Sequence, residues 1–260
     1  MDILSWNIAG IRASLKRDDF EFLKTSSYDV VCIQETKATT EQGEKALPEY
    51  IKHLYPYRYW NSTQGITQRR GFSGTCIWSK KAPINAISPP DFDLEGRITI
   101  VEFENYIVLT VYTPNSQDIE SPRCLYRKEW DLKFLEFINT LNMIKPTILC
   151  GDFNVARDNI DIHTKRVSGL TTVGFLNSER ELLHKYLKNF TDIFREKNPD
   201  VIKYTYWDQR NPRLRQNNKG WRIDYFLVSN KFDNTLFETE IHNEIYGSDH
   251  CPISLKYNET

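Results

Sequence analysis

No stretch of this chain approaches the ~18 consecutive apolar residues that a bilayer-spanning helix needs. The basic, apolar and small-residue zones of a signal peptide are also missing, since Met1 runs straight into Asp2-Ile3-Leu4-Ser5-Trp6. The expectation is a soluble intracellular protein. Cysteine is sparse and unpatterned: Cys32, Cys76, Cys124, Cys150 and Cys251 make an odd count with no CxxC spacing, and all but Cys124 lie in or beside apolar runs. That argues against a disulfide framework or a zinc site and predicts buried reduced thiols. Neither sign of charge is in excess, with 34 Lys and Arg against 35 Asp and Glu and a net charge of −1. A surface that binds polyanions everywhere is thereby disfavoured, although a local basic groove stays open. Repeats, low-complexity tracts and Gly/Ser linkers are absent, and 260 residues is an ordinary size for one large sandwich. One domain over residues 1–260 is expected.

What is present is a series of short apolar runs: DILSWNI, DVVCIQ, SGTCIWS, RITIVEF, YIVLTVY, PTILCG, IDYFLVS and CPISLKY. Each has strand length, and most are rich in Ile, Val, Tyr or Phe. Helical spacing appears between them. Trp130, Phe134, Phe137, Ile138 and Leu141 recur at three- and four-residue steps, as do Leu182, Leu183, Tyr186, Leu187 and Phe190. Ser178 followed by Glu181 reads as a capping box opening the second helix. Strands with interspersed helices suit a parallel sheet, but no Gly-rich phosphate loop follows any strand. Two packed sheets flanked by helices fit equally well. Periodicity leaves both open.

Polar groups cluster at the ends of these runs. Asn7 lies in the first, Glu35 ends the second, Tyr112 ends YIVLTVY, and Asp152 and Asn154 follow PTILCG. Asp224 opens IDYFLVS, and Asp249-His250 precede CPISLKY. Any one of them alone reads as a turn or packing residue, because Asn and Asp after a strand commonly satisfy their own backbone. Their joint occurrence at six strand ends points to a site. Residues 209–222 (QRNPRLRQNNKGWR) add five Arg or Lys and no acid, which by itself reads as a solvated loop.

The segments SWNIAGIRA, IQETK, VYTPNSQ, GDFNVA, YTYW, GWRIDYF and GSDHCPI, spread from residue 5 to residue 253, give the chain its resemblance. In order and spacing it resembles the exonuclease III family of apurinic/apyrimidinic endonucleases. GDFNVA is shared by related phosphoesterases, whereas GWRIDYF followed by GSDHCPI is specific to the abasic-endonuclease branch. The resemblance implies an α+β, four-layered αββα sandwich of two mainly antiparallel sheets with helices outside. It implies a Mg²⁺-dependent phosphodiesterase (Mn²⁺ as a substitute) that cuts double-stranded DNA 5′ to abasic sites and leaves a 3′-hydroxyl. A 3′→5′ exonuclease activity, processing of blocked 3′ ends and a monomeric state complete the expectation. A same-fold phosphoesterase acting on phosphoinositide or RNA is the alternative.

The resemblance also implies roles. Glu35 is the principal metal ligand, with Asn7 and Asp249 nearby and Asp152 and Asn154 within the metal-site set. Asp152 orients or deprotonates the attacking water, and Asn154 hydrogen-bonds the phosphate. Asp224 fixes the tautomer of His250, which acts as a cation on phosphate or as a base; both remain open. Tyr112 is the phenol beside the phosphate. Tyr206, Trp221 and Ile223 form the pocket for the extruded abasic sugar. Arg12, Arg69, Arg70, Arg210, Arg213, Arg215 and Lys219 are the expected DNA contacts, with Arg210 entering the helix stack. Two departures stand out: the family carries Asp or Asn where this chain has Ala9, and Asp118 stands where some relatives place an arginine.

Overall fold

A computed structural model describes residues 1–63, 71–164 and 167–259. All eight apolar runs form strands. In chain order the strands are β1 (Asp2–Asn7), β2 (Val30–Gln34), β3 (Tyr57–Asn61), β4 (Thr75–Ser79), β5 (Asn85–Ile87) and β6 (Ile98–Glu102), then β7 (Ile107–Tyr112), β8 (Thr147–Asp152), β9 (Phe190–Asp192), β10 (Asp224–Ser229), β11 (Phe237–Ile241) and β12 (Ile253–Tyr257). They build two six-stranded sheets, ordered β11-β12-β1-β2-β4-β3 and β5-β6-β7-β8-β10-β9. Each is antiparallel except for one central parallel pair, β1 with β2 and β7 with β8.

Side-chain alternation along these strands makes the layers. Ile3, Val30, Cys32, Val108, Cys150, Phe226 and Leu255 face the seam between the sheets. Their neighbours Leu4, Trp6, Val31, Ile33 and Trp78 point outward and are covered by α1 (Ile11–Lys16), by Leu47 just after α2 (Thr40–Ala46) and by α3 (Glu49–Leu54), with Ile11 and Ile51 in the same cluster. On the far side, Ile100, Leu109, Leu149 and Tyr225 meet Trp130, Phe134, Ile138 and Leu183 of α4 (Pro122–Ile144) and α5 (Asn177–Tyr186). The four-layered αββα expectation therefore holds. α4 starts where the Ser121 hydroxyl accepts from the Cys124 amide, and it ends just before Pro146, a residue type that turns its predecessor away from helix. All five cysteines are free and buried.

Two local expectations are corrected. Phe190 leaves the helical stripe and opens β9. α5 starts at Asn177, so Ser178 lies inside it, and Glu179 rather than Glu181 reaches back to the amides of Leu176 and Gly174. The remaining helices, α6 (Ile193–Lys197) and α7 (Arg213–Gln216), are short. Among the described residues no helix is long and apolar enough to cross a membrane.

Candidate active site

The two central parallel pairs aim their C-terminal ends at the same rim of the sandwich. β10 begins at that rim because it runs antiparallel to β8, with Asp224 directly opposite Asp152. β12 runs antiparallel to β1, so Asp249 and His250 reach the rim just before it. The sequence-assigned groups at six strand ends thus converge. Of the eight non-glycine residues with left-handed φ among the described residues, Ala9, Glu35, Lys37 and Asn154 lie on these segments, with φ of 50°, 53°, 48° and 50°. Left-handed conformations in non-glycine residues cost about 1 kcal/mol each and persist only where packing imposes them.

Asn7 is fully buried and its Nδ2 donates to Glu35 Oε1 at 3.0 Å and to Asp152 Oδ2 at 2.9 Å. Lys37 Nζ lies 2.7 Å from the other Glu35 oxygen. Asp152 Oδ1 accepts from the Asn154 amide at 2.8 Å, while Asn154 Nδ2 donates to Thr113 O at 2.9 Å and its Oδ1 accepts from Asn115 Nδ2 at 3.1 Å. His250 Nδ1 is 2.8 Å from Asp224 Oδ2, so that nitrogen carries a proton and Nε2 faces Asp152, 3.8 Å away. The Ser248 hydroxyl donates to Asn7 O, bonds Asp249 Oδ1 at 3.1 Å and accepts from the His250 amide.

Electrostatics follow from this packing. Burial alone would push the His250 pKa down, but the Asp224 and Asp152 carboxylates overcome it and hold the imidazolium well above the ordinary histidine range. Burial drives Asp152 upward; the His250 charge opposes that and the Asp224 charge adds to it. Burial would also raise Glu35, yet Lys37, Asn7 and His250 keep it below the usual glutamate value. Burial, reinforced by Glu35, raises the Tyr112 phenol so far that it stays protonated.

A cleft of about 340 Å³ opens over these groups. Glu35, Tyr112, Asp152, Asn154, Asp249 and His250 line it. Tyr206, Trp221 and Ile223 line it as well, and Ile162 and Phe175 pack with them in one apolar cluster. Tyr206 bridges Trp221 and His250 by backbone pairing, with its ring centroid 5.0 Å from the imidazole. The apolar pocket and the polar cluster are therefore walls of one cavity.

The expected DNA contacts fare unevenly. Arg69 and Arg70 lie outside the described residues. Arg12 is exposed beside Ala9 and Lys37 in an adjoining groove. Arg213 and Lys219 are exposed. Arg210 is exposed but chelated by Asp208, one residue before the acid-free run, with Nη2 to Oδ2 at 2.6 Å. Arg215 differs from expectation. Its guanidinium donates inward to the carbonyls of Asn243, Ile245 and Ser248, so it braces the segment carrying Asp249 instead of facing solvent.

Sequence reasoning missed several supporting residues. Arg127 is buried in α4, paired with Asp131 at 2.6 Å, and donates to Pro114 O and Phe153 O, the carbonyls flanking the Asn115 and Asn154 positions. Its signal was a charge pair at i and i+4 inside the apolar stripe of Trp130 and Phe134. Buried Arg97 holds Tyr112 O at 2.8 Å with its guanidinium 4.5 Å from the Tyr112 ring, and Lys37 stood within IQETK. Buried Glu179 ties Ser116 to the loop carrying Gly174, which lines the cleft.

The cluster can hold a cation. Asp152, Asp224 and His250 offer atoms that all lie within 4.8 Å of one another. Asp224 is already committed to His250, however, and hard divalent ions prefer oxygen donors. Glu35, Asp249 and Asp152 supply three carboxylates around the cleft, with the Asn7 amide fixed between two of them. This donor set fits a hard cation.

Residues 4–250 match the family described as Endonuclease/Exonuclease/phosphatase. A protein of Bacillus subtilis named exodeoxyribonuclease is 38% identical over 99% of this chain and 100% of its own length. The DNA repair nuclease APEX1 of Danio rerio is 38% identical over 98% of this chain and 81% of its own. Among solved structures, an AP endonuclease from Archaeoglobus fulgidus matches with a TM-score of 0.83 at 24% identity, covering 100% of both chains. That likeness concerns the fold.

Proposed function

The chain belongs to the Endonuclease/Exonuclease/phosphatase family, and from that premise we propose that it is a DNA-repair phosphodiesterase. It incises double-stranded DNA 5′ to abasic sites with Mg²⁺ (or Mn²⁺), leaving a 3′-hydroxyl. The observation that carries this reading is the cleft in which hydrolytic groups and apolar pocket residues line one cavity. Such a pocket accepts a sugar without a base and excludes a complete nucleotide by size, and extrusion costs least where pairing is already lost. The name of the Bacillus subtilis relative, exodeoxyribonuclease, further motivates exonuclease action at the same site, with 3′→5′ polarity and trimming of blocked 3′ ends carried over from the sequence resemblance.

Each side chain has a task. Asp152, braced by Asn7 and by the Asn154 amide, orients the attacking water and takes its proton. His250, kept cationic by Asp224 and Asp152, serves as a phosphate-binding charge, which favours that role over a general base. Asn154 and the protonated Tyr112 donate to the phosphate. Glu35, with Asp249 and Asn7, would hold the cation, which supplies charge relief to the phosphate when bound. Tyr206, Trp221 and Ile223 receive the sugar. The test is a gel assay on a duplex with a single abasic analogue, with Mg²⁺ and with EDTA. A cut on the 5′ side that disappears in EDTA is expected, and an EDTA-resistant or 3′-side cut overturns the reading.

A further inference from the structure

Beside the cleft lies a second cavity of about 280 Å³, lined by Trp207, Asp208, Pro212, Arg215, Tyr246 and Asp249 among others. Asp249 belongs to both cavities, so the two adjoin. The centre of this region is a stack of three side chains. The Arg215 guanidinium carbon lies 4.7 Å from the Trp207 ring and 4.2 Å from the Tyr246 ring. Trp207 is 3% exposed and Tyr246 60%, so the stack runs from the core to the surface and ends on an aromatic ring. Arg215 cannot swing away, since its edge donors are taken by the carbonyls of Asn243, Ile245 and Ser248. One face of Tyr246 is thus held by a fixed cation, and the ring is oriented before any ligand arrives.

We propose that Tyr246 is a stacking shelf for one unpaired nucleobase of the bound DNA, beside the site of hydrolysis. The proposal rests on the nuclease reading above and deepens it. An oriented aromatic ring stacks on any base, because every base has a π-face. The lining also says which part of a nucleotide enters. Asp249 is an acceptor-only anion that repels a phosphodiester and accepts from the amino groups and ring N–H of bases, whereas Asp208 is already paired with Arg210. Arg215, which would otherwise draw phosphate, has turned its donors inward. Unpaired bases occur where a strand frays or overhangs, the form in which a 3′ end presents itself for trimming.

The experiment measures binding in EDTA of three duplexes that share one paired region: blunt, with a short unpaired tail, and with a tail of abasic residues. Wild type should bind the base-bearing tail more tightly than the other two. Tyr246→Ala should lower affinity for that tail about tenfold and abolish its advantage, the loss expected for one aromatic-base stack. Tyr246→Trp should retain it, and 2-aminopurine in the tail should be quenched by wild type and Tyr246→Trp but not by Tyr246→Ala. A tail advantage that survives Tyr246→Ala, or is absent in wild type, overturns the shelf. An abasic tail bound as tightly as the base-bearing one assigns the cavity to backbone and equally overturns it. Should wild type also leave a duplex with a single abasic analogue uncut in Mg²⁺, the nuclease reading itself falls.

Discussion

Asp152 accepts hydrogen bonds from Asn7 and from the Asn154 amide, and His250 Nε2 stands 3.8 Å from it. Both residues are almost fully buried, so neither offers much surface to a bound duplex. Their contribution belongs to the transition state, and a loss there lowers kcat and kcat/KM together. Asp152→Asn and His250→Ala are each expected to cut turnover by ~10² or more while DNA affinity stays near wild type. Near-normal kcat with only a raised KM in either variant would remove that residue from the chemistry. Ala9 poses a different question. It holds a φ of 50° that Asn and Asp tolerate better than Ala, and its amide donates to Asn7 Oδ1 at 3.1 Å. Ala9→Asn should therefore raise the melting temperature without metal, by relief of about 1 kcal/mol of strain. Ala9→Asp should in addition lower the Mg²⁺ concentration for half-maximal thermal stabilisation by ~10-fold, as a restored supporting oxygen does. Melting curves with and without Mg²⁺ separate the two effects. Identical Mg²⁺ titrations would place position 9 outside the influence of the cation.

Elements transmit these positions. Arg127 on α4 satisfies Pro114 O and Phe153 O while pairing with Asp131, all without solvent. Arg127→Met leaves Asp131 buried and unpaired, so a loss of ~3–5 kcal/mol in urea unfolding is expected, together with a fall in kcat. Full stability in that variant would show the pair to be dispensable. The loop from Arg210 to Lys219 makes a second case. Arg213 and Lys219 are free to meet phosphate, whereas Arg215 is spent on carbonyls. Arg213→Ala and Lys219→Ala should each flatten the slope of log K against log salt by about 0.9. Arg215→Ala should leave that slope alone and lower stability instead. The opposite pattern would restore Arg215 as a phosphate contact. The strands legible in the sequence were the eight internal ones, and those overlooked were β3, β5, β9 and β11, which are the four sheet edges. Edge strands are short or half solvated: β5 is three residues with two exposed, and β11 turns Glu238 and Glu240 outward. Acids there deter pairing with another chain, and they also erase the apolar run by which a strand is recognised.

For the whole molecule, the groups at strand ends were readable because each follows a run whose β character is evident, and topology then brings the ends to one rim. The braces behind them were not readable. Arg97, Arg127 and Glu179 look like surface charges until the fold buries them, and the inward turn of Arg215 depends on a segment some 30 residues further along. The largest such brace joins three distant stretches of chain. Asp161 is fully buried and takes Arg222 Nε at 2.7 Å and Arg195 Nη2 at 2.6 Å, while Arg222 also binds Asp192 at 2.7 Å. Burial alone would raise the Asp161 pKa, but the two arginines reverse this and hold it below the ordinary aspartate value. The folded value is thus lower than the unfolded one of about 3.9, so Asp161 stabilises the fold above that pH. The contribution is lost as pH falls through the lowered folded value. Urea unfolding of wild type should show stability falling below about pH 4, partly through this group. Asp161→Asn should cost ~3–5 kcal/mol at pH 7, where buried Arg195 loses its carboxylate partner and Arg222 keeps only Asp192. The same variant should lose less than wild type between pH 5 and pH 3, because its titrating group is gone. Arg222 lies between Trp221 and Ile223, and Ile162 pairs with Trp221, so loosening this brace reaches the apolar wall of the cleft. A variant that folds at pH 7 should accordingly show a raised KM for abasic duplex with a smaller change in kcat. If Asp161→Asn matches wild type in both stability at pH 7 and acid sensitivity, the network is not the brace that its geometry suggests.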